Sequence, residues 1–359
     1  MPESADRNQY VTARPGTCSR YMGAWISPAT GACPAARAIA SDGRGGTPHH
    51  APLPPSRASR SVGCGAVSTR RIDVGEVRLA VTEAGAPSGE PVLLLHGFPE
   101  LAHSWRHQLP ALAAAGYHAV APDLRGYGAS DRPPAVEDYA APKLVGDVAG
   151  LIRALGHESA HIVGHDWGGG LAWGLAGNRP EMVRSLTILN APVGVVSARL
   201  RREDPAQRAK SWYMLLFQFP GVAETWLSAD DFANLRAFVF DTAAPGAFSE
   251  EDRAVFLDAL RRDGALTAAL NWYRANMPAS AWLRDPPDPP PVPVPTMIIW
   301  GEADAYMDPI LLERSAATVT GPLRIERLPG VSHWVAQEVP ERVNELLVDF
   351  LDGLPRGNP

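Results

Sequence analysis

Cysteine is almost missing from this chain of 359 residues: Cys18, Cys33 and Cys64 are the only three, and all lie in the first 64 positions. The other 295 residues therefore hold no disulfide framework, no thiol nucleophile and no thiolate metal ligand. Lysine is rarer still, at Lys143 and Lys210 alone, so arginine supplies nearly all the positive charge. No run of 18 or more residues is continuously apolar, and the amino terminus lacks the apolar core of a secretory signal. Neither a membrane span nor a cleaved leader is expected, and a soluble cytoplasmic protein follows. With 45% apolar and 20% charged residues and a net charge of −6, the composition is that of an ordinary globular protein. Its length exceeds one compact core of average size, which implies a domain with a large insertion, or two domains.

Composition divides the chain unevenly. Residues 1–70 contain 8 Pro and 8 Gly but only six Leu, Ile, Val or Phe, without a sustained period of 2 or 3.6. Such a segment cannot bury enough apolar surface to offset its ordering entropy, so a disordered extension is expected. It carries 8 Arg against Glu3, Asp6 and Asp42, a charge of +5 that leaves −11 on the other 289 residues. Its arginines are scattered rather than clustered, which suits a solvated tail better than a nucleic-acid or membrane partner.

From Arg71 short apolar runs alternate with longer amphipathic ones, the pattern of a sheet covered by helices. Strands are expected at 77–82, 91–95, 118–122, 160–164 and 185–190, and helices at 104–115, 143–155 and 168–176. Right-handed crossovers make this a mostly parallel sheet, with ligands beyond the carboxyl ends of its strands. After Pro192 the alternation stops, and helical, aromatic-rich signals follow at 211–219, 230–240, 249–262 and 266–275. This insertion ends in the stiff proline-rich run 286–295, which has few backbone donors and suits a return to the sheet. Strands at 296–300 and 323–328 and a helix at 340–351 complete the chain. The expected organisation is thus an α/β core from 71–192 and 296–359, a helical cap at 193–295 and the extension 1–70.

The chemistry is concentrated at strand ends. Gly164-His165-Asp166-Trp167-Gly168 follows an apolar run and precedes a helix, the context of a nucleophile elbow in which aspartate stands where an esterase has serine. Taken alone, Asp166 could equally be a helix N-cap beside Gly-rich packing. Asp304 and His333 each follow an expected strand, in the order nucleophile, acid, histidine of an elbow enzyme. There Asp304 can orient His333, which then works as a base. His96-Gly97-Phe98-Pro99-Glu100 ends another strand in a turn, with room for a cis bond before Pro99. This turn would aim the Phe98 amide, together with the Trp167 amide, at the nucleophile as an oxyanion hole. Histidines are scattered and Gly168-Gly169-Gly170 lacks a phosphate-loop lysine, so no metal or nucleotide cofactor is expected.

Together with Asp123-Leu124-Arg125-Gly126-Tyr127-Gly128-Ala129-Ser130 and His333-Trp334, these motifs make the chain from about Arg71 resemble an epoxide hydrolase of the α/β-hydrolase superfamily. The resemblance covers nearly 290 residues and includes two tyrosines of the insertion: Tyr213, within Ser211-Trp212-Tyr213-Met214, and Tyr273, within Trp272-Tyr273-Arg274. It implies an α/β-hydrolase fold with an inserted helical cap, Asp166 as nucleophile, Tyr213 and Tyr273 as donors to the epoxide oxygen, and His333 as hydrolytic base held by Asp304. It implies an epoxide and water as the only partners and a role in detoxification, and it leaves homodimer formation open. A dehalogenase shares the aspartate nucleophile but needs halide donors, which Trp167 offers and Phe98 does not. A non-catalytic ligand-binding protein of the same fold would have no use for the triad and both phenols.

Overall fold

The structure, a computed structural model, describes residues 67–355. The disorder expected of the extension falls, up to residue 66, outside the described residues. An eight-stranded sheet is built from β1 (Ser68–Asp73), β2 (Arg78–Ala84), β3 (Pro91–Leu95), β4 (His118–Pro122), β5 (Ala160–His165), β6 (Val183–Leu189), β7 (Thr296–Gly301) and β8 (Leu323–Leu328), in the order β1-β2-β4-β3-β5-β6-β7-β8. The six strands from β4 to β8 run parallel, while β2 pairs antiparallel with both β4 and β1. Strand β1 starts at Ser68, three residues before the expected boundary of the ordered chain. Its sequence, Ser-Thr-Arg-Arg-Ile-Asp, buries only Ile72 and so lacks any alternating pattern. Pairing with β2 and the Arg70–Glu83 ion pair at 2.8 Å hold it, rather than burial.

Every residue of β3 is buried, Leu93 and Leu95 joining the apolar cluster beneath one face of the sheet and Val92 and Leu94 the cluster beneath the other. A strand buried on both faces reads as a continuous apolar run, which is why the central strands were legible. Helices α1 (Gln108–Ala114), α11 (Val335–Glu338) and α12 (Pro340–Asp352) cover one face; α2 (Ala141–Ala154), α3 (Asp166–Asn178) and α10 (Pro309–Ala316) cover the other. In α12 the buried Val343, Leu346, Leu347 and Leu351 lie on one stripe at helical spacing. The helix expected at 104–115 divides into a 3-10 turn, Ala102–Trp105, and α1. Pro110 thereby falls in the first turn of α1, where its missing N–H has no intrahelical acceptor to lose.

Between β6 and β7 lie α4 (Gly194–Glu203), α5 (Pro205–Lys210), α6 (Trp212–Leu216), α7 (Val222–Val239), α8 (Glu250–Leu260) and α9 (Ala265–Asn276). The first two carried no helical signal in the sequence, and α7 begins eight residues before the segment expected at 230–240. It is interrupted at Ala229, Asp230, Asp231 and Phe232, the last three with positive φ. This helical layer is pinned to the sheet domain from α9 and α8: the Trp272 indole donates to the Arg125 carbonyl at 3.0 Å, and Asp252 takes His103 at 2.7 Å and Arg106 at 2.9 Å. In the proline-rich return, the Val292 N–H donates to the Thr318 carbonyl at 3.0 Å, and the Thr320 N–H donates back to the Val292 carbonyl at 2.9 Å.

Because β3 has β4 on one side and β5 on the other, the chain winds outward in opposite directions from it. The carboxyl ends of β3 and β5 therefore flank a crevice, the place where ligands bind in open α/β sheets. Leu95 pairs with Gly164, which brings the two following loops level.

Candidate active site

Strand β5 runs directly into α3 at Asp166, which takes φ +50, a left-handed conformation uncommon for a residue other than glycine. The turn is sharp because α3 presses against the end of β3: a Cβ on Gly168 would lie 2.1 Å from the Leu95 carbonyl oxygen. Asp166 Oδ1 accepts the Phe98 N–H at 2.9 Å. The Trp167 N–H belongs to the first turn of α3, whose N–H groups have no intrahelical acceptor. The peptide bond between Phe98 and Pro99 is cis. His96 braces this loop, bonding through Nδ1 to the Gly97 carbonyl at 2.8 Å while Nε2 accepts the Leu124 N–H at 3.0 Å.

His333 follows β8 and is buried beside Asp166, its Nε2 lying 3.9 Å from Asp166 Oδ2 and its Nδ1 2.7 Å from Asp304 Oδ2. Asp304, in the loop after β7, is held at all its lone-pair positions. Its Oδ1 accepts the Tyr306 and Met307 amides at 2.7 and 2.9 Å, and its Oδ2 accepts the Asn190 side chain at 2.7 Å. Burial opposes charge on both members of this pair, and their mutual attraction outweighs it. Asp304 is held below the ordinary carboxylate range, and His333 is lifted to about 9, with Asp166 and Glu100 adding to the lift.

Three residues without an assigned role in the sequence complete the framework. Asn190, at the end of β6 and at φ +38, also ties its side chain to the Gly301 amide and carbonyl at 2.7 and 3.1 Å, so one side chain sets the position of Asp304. Glu100 is fully buried; burial would raise its pKa, but the His165 contact and the Gly97 N–H hold it at about 2. One Glu100 oxygen takes the Gly97 N–H at 3.0 Å and His165 Nδ1 at 2.7 Å, while His165 Nε2 meets the His333 carbonyl at 2.9 Å. This pair joins the loops after β3, β5 and β8. An Asn after a strand and a His beside the elbow were visible signals, but only the sheet order shows that they meet.

Above Asp166 the helical layer closes a cavity lined by Phe98, Tyr213, Phe238, Val239, Tyr273, Tyr306, His333 and Trp334. Its free space, about 20 Å³, accommodates little more than a water. Tyr213, on α6, and Tyr273, on α9, stand with ring centroids 6.0 Å apart. Tyr273 packs edge-on against Trp167 and Phe98, and Tyr213 packs against Phe238 and Phe217. Burial raises both phenols well above the ordinary phenol range, with the Asp166 carboxylate next for Tyr213 and the Tyr213 phenol and then Asp166 next for Tyr273, so both carry their protons at neutral pH. Among the described residues no cluster of His, Cys, Asp and Glu could hold a metal, and no helix is long and apolar enough to cross a membrane.

A mostly parallel sheet with a strand-to-helix elbow and a His–Asp pair at adjacent strand ends defines the α/β-hydrolase class, and the α/β-hydrolase fold family matches residues 90–338. Epoxide hydrolase A of Mycobacterium tuberculosis is 36% identical over 326 residues, covering 81% of this chain and 99% of its own. Epoxide hydrolase 3 of Xenopus tropicalis is 37% identical over 280 residues, 77% of this chain and 75% of its own. The crystal structure of a Bacillus megaterium epoxide hydrolase in complex with an inhibitor superposes with a TM-score of 0.72 at 32% identity, over 79% of this chain and all of that one. The chain belongs to the epoxide hydrolases of the α/β-hydrolase superfamily.

Proposed function

We propose that the protein adds water to an epoxide to give a vicinal diol, in two steps through an ester of Asp166. The carrying observation is the placement of a carboxylate at the elbow and two protonated, buried phenols lining one cavity. Asp166 Oδ1 is occupied by the Phe98 N–H, which leaves Oδ2 as the attacking atom. Oδ2 opens the ring from the back while a phenol of Tyr213 or Tyr273 bonds the epoxide oxygen and gives it a proton as the C–O bond breaks. Carboxylates are ionised at neutral pH, so this step needs no base.

The ester is then hydrolysed. His333 takes a proton from water, the hydroxide adds to the Asp166 carboxyl carbon, and the oxyanion at Oδ1 is held by the Phe98 and Trp167 amides. Esterification also removes the Asp166 charge, one of the groups that lift His333 in the free enzyme. The histidine becomes easier to deprotonate when it has to act as a base. Asp304, fixed by four donors, keeps the ring aimed.

A single turnover in heavy-oxygen water tests this reading. The label is expected in the Asp166 carboxylate; label found only in the diol would exclude the ester. We further assign the enzyme to the cytoplasm and to removal of reactive epoxides, a role that suits a cavity walled by Phe98, Phe238, Val239 and Trp334, with no lysine or arginine among its lining residues. Cell fractionation and epoxide sensitivity of a deletion strain check these two assignments.

A further inference from the structure

The stretch of the helical layer that joins α7 to α8 meets the His333 loop on both of its flanks. Phe238 and Val239 of this stretch wall the cavity above Asp166. Three residues further on, Thr242 accepts the Trp334 indole N–H at 2.9 Å, while its own hydroxyl donates to the Val239 carbonyl at 2.7 Å. The Ala244 N–H donates to Glu338 Oε1 at 2.8 Å. Glu338 is the last residue of α11 and turns back on the histidine loop: its Oε2 accepts the Ser332 N–H at 2.9 Å, and the Ser332 hydroxyl bonds its Oε1. Both sequence neighbours of His333 are thus tied to one short stretch of the helical layer. The same stretch reaches the orienting acid, because the Tyr306 hydroxyl donates to the Phe238 carbonyl and the Tyr306 amide holds Asp304 Oδ1.

The bond from Glu338 to Ser332 spans six residues and would by itself be a local brace. The bond to Ala244 spans 94 and crosses from the sheet domain to the helical layer. Ala244 is exposed, so water would satisfy its N–H equally well, and what the bond to Glu338 adds is position. The cavity holds little more than a water, so an epoxide enters only when its wall yields. The wall that includes Phe238 and Val239 is also the one bonded to the His333 loop. Tyr273 is carried differently: it rides on α9, which the Trp272 indole anchors to the Arg125 carbonyl.

We infer that Glu338 is a positioning residue through which, together with Thr242, the 238–244 stretch sets the aim of His333, so that the base is seated only when the helical layer is closed over the Asp166 ester. The inference rests on the epoxide-hydrolase reading above and adds the condition under which its second step begins. Ring opening uses Asp166 and the phenols and needs no base. Ester hydrolysis needs His333 Nε2 aimed at a water beside the Asp166 carboxyl carbon. Glu338 makes and breaks no bond in either step; it governs only that aim. A helical layer still displaced by an entering epoxide leaves the histidine loop without two of its anchors, and closure restores them.

The test follows the Asp166 ester by rapid-quench mass measurement in single turnovers with styrene oxide as probe. Ala244→Pro removes the donor on the helical layer and leaves both Glu338–Ser332 bonds in place. It is expected to slow ester hydrolysis by ~10- to 100-fold, up to what a misplacement of about 1 Å costs, and to leave ester formation within about threefold. Glu338→Gln keeps one carbonyl acceptor and sets an amide NH₂ against the remaining N–H, so it should slow the same step. The double variant should be no slower than the slower single one, because both break one connection. Ester hydrolysis within about twofold of the unaltered rate in Ala244→Pro, beside a slow Glu338→Gln, would reduce Glu338 to a local brace and overturn the proposal. A loss shared equally by the two steps would overturn it as well. Should Ala244→Pro not fold, Thr242→Val, which removes the acceptor of the Trp334 indole, decides by the same criteria. Absence of label from Asp166 after a turnover of the unaltered enzyme in heavy-oxygen water would instead reject the epoxide-hydrolase reading itself.

Discussion

Gly97→Ala tests the oxyanion arrangement without removing a functional group. A Cβ built on Gly97 lies 2.5 Å from Asp166 Cβ and 2.6 Å from Oδ1, where no real Cβ can stay. Ordinary contact requires the loop and Asp166 to separate by about 1 Å, a misplacement that can cost ~10²-fold in rate. The same shift stretches the Phe98 N–H to Asp166 bond from 2.9 Å beyond hydrogen-bonding distance. Loss of one oxyanion donor is worth ~10²- to 10³-fold, or about 2.7–4 kcal/mol of transition-state stabilisation. Because the oxyanion forms when the ester is hydrolysed, the second step should suffer most. Stopped-flow fluorescence with intact-mass sampling should then show a burst and an accumulating alkyl-enzyme, with turnover reduced at least about a hundredfold. Turnover within threefold of the unaltered enzyme, in a protein of unchanged melting temperature, would refute the role given to this loop.

Other consequences concern pH, stability and chain length. His333 has a folded-state pKa of about 9 against an ordinary 6.5, so its pairing with Asp304 stabilises the fold fully below about 6.5 and is lost as pH rises through 9. The melting temperature should fall across that window and fall less in Asp304→Asn; equal slopes would contradict the pairing. Arg125 is almost fully buried and binds both oxygens of Asp147 at 2.8 and 2.7 Å, so Arg125→Met strands a buried carboxylate. The loss should be about 3–5 kcal/mol and should lower the melting temperature by roughly 10 °C, at about 2–4 °C per kcal/mol for a domain of this size; a drop under about 3 °C would contradict it. A chain starting at Val67 should keep full activity, since every residue of the site lies further on. Removal through Asp73 should cost stability in thermal melts, because it unpairs β2 and strips Arg70 from Glu83.

Legibility in the sequence followed burial. The runs that became β3, β4, β5 and β7 are buried from end to end and so stood out as apolar blocks. The edge strand β1 has one buried residue and all six of its residues in register with β2, and its stability comes from pairing that composition does not display. In the helical layer α4 and α5 escaped notice because α4 interleaves arginines with its few apolar positions and buries one of them, Arg201. The break in α7, at Asp230, Asp231 and Phe232, likewise has no proline or glycine to announce it.

The chain by itself determined which groups are available and in what order: an aspartate between glycines at a strand end, an acid and a histidine after later strands, a turn with Phe98 and Pro99, and two tyrosines in an inserted helical stretch. Those are local properties, set by the strand-to-helix turn and by the period of apolar residues. Distance is not local. That Asn190 holds Asp304 and that Glu100 and His165 join three loops depend on a strand order in which sequence neighbours are separated and distant segments meet. Only the folded sheet, winding outward both ways from β3, brings those loop ends to one crevice and decides which charges feel one another there.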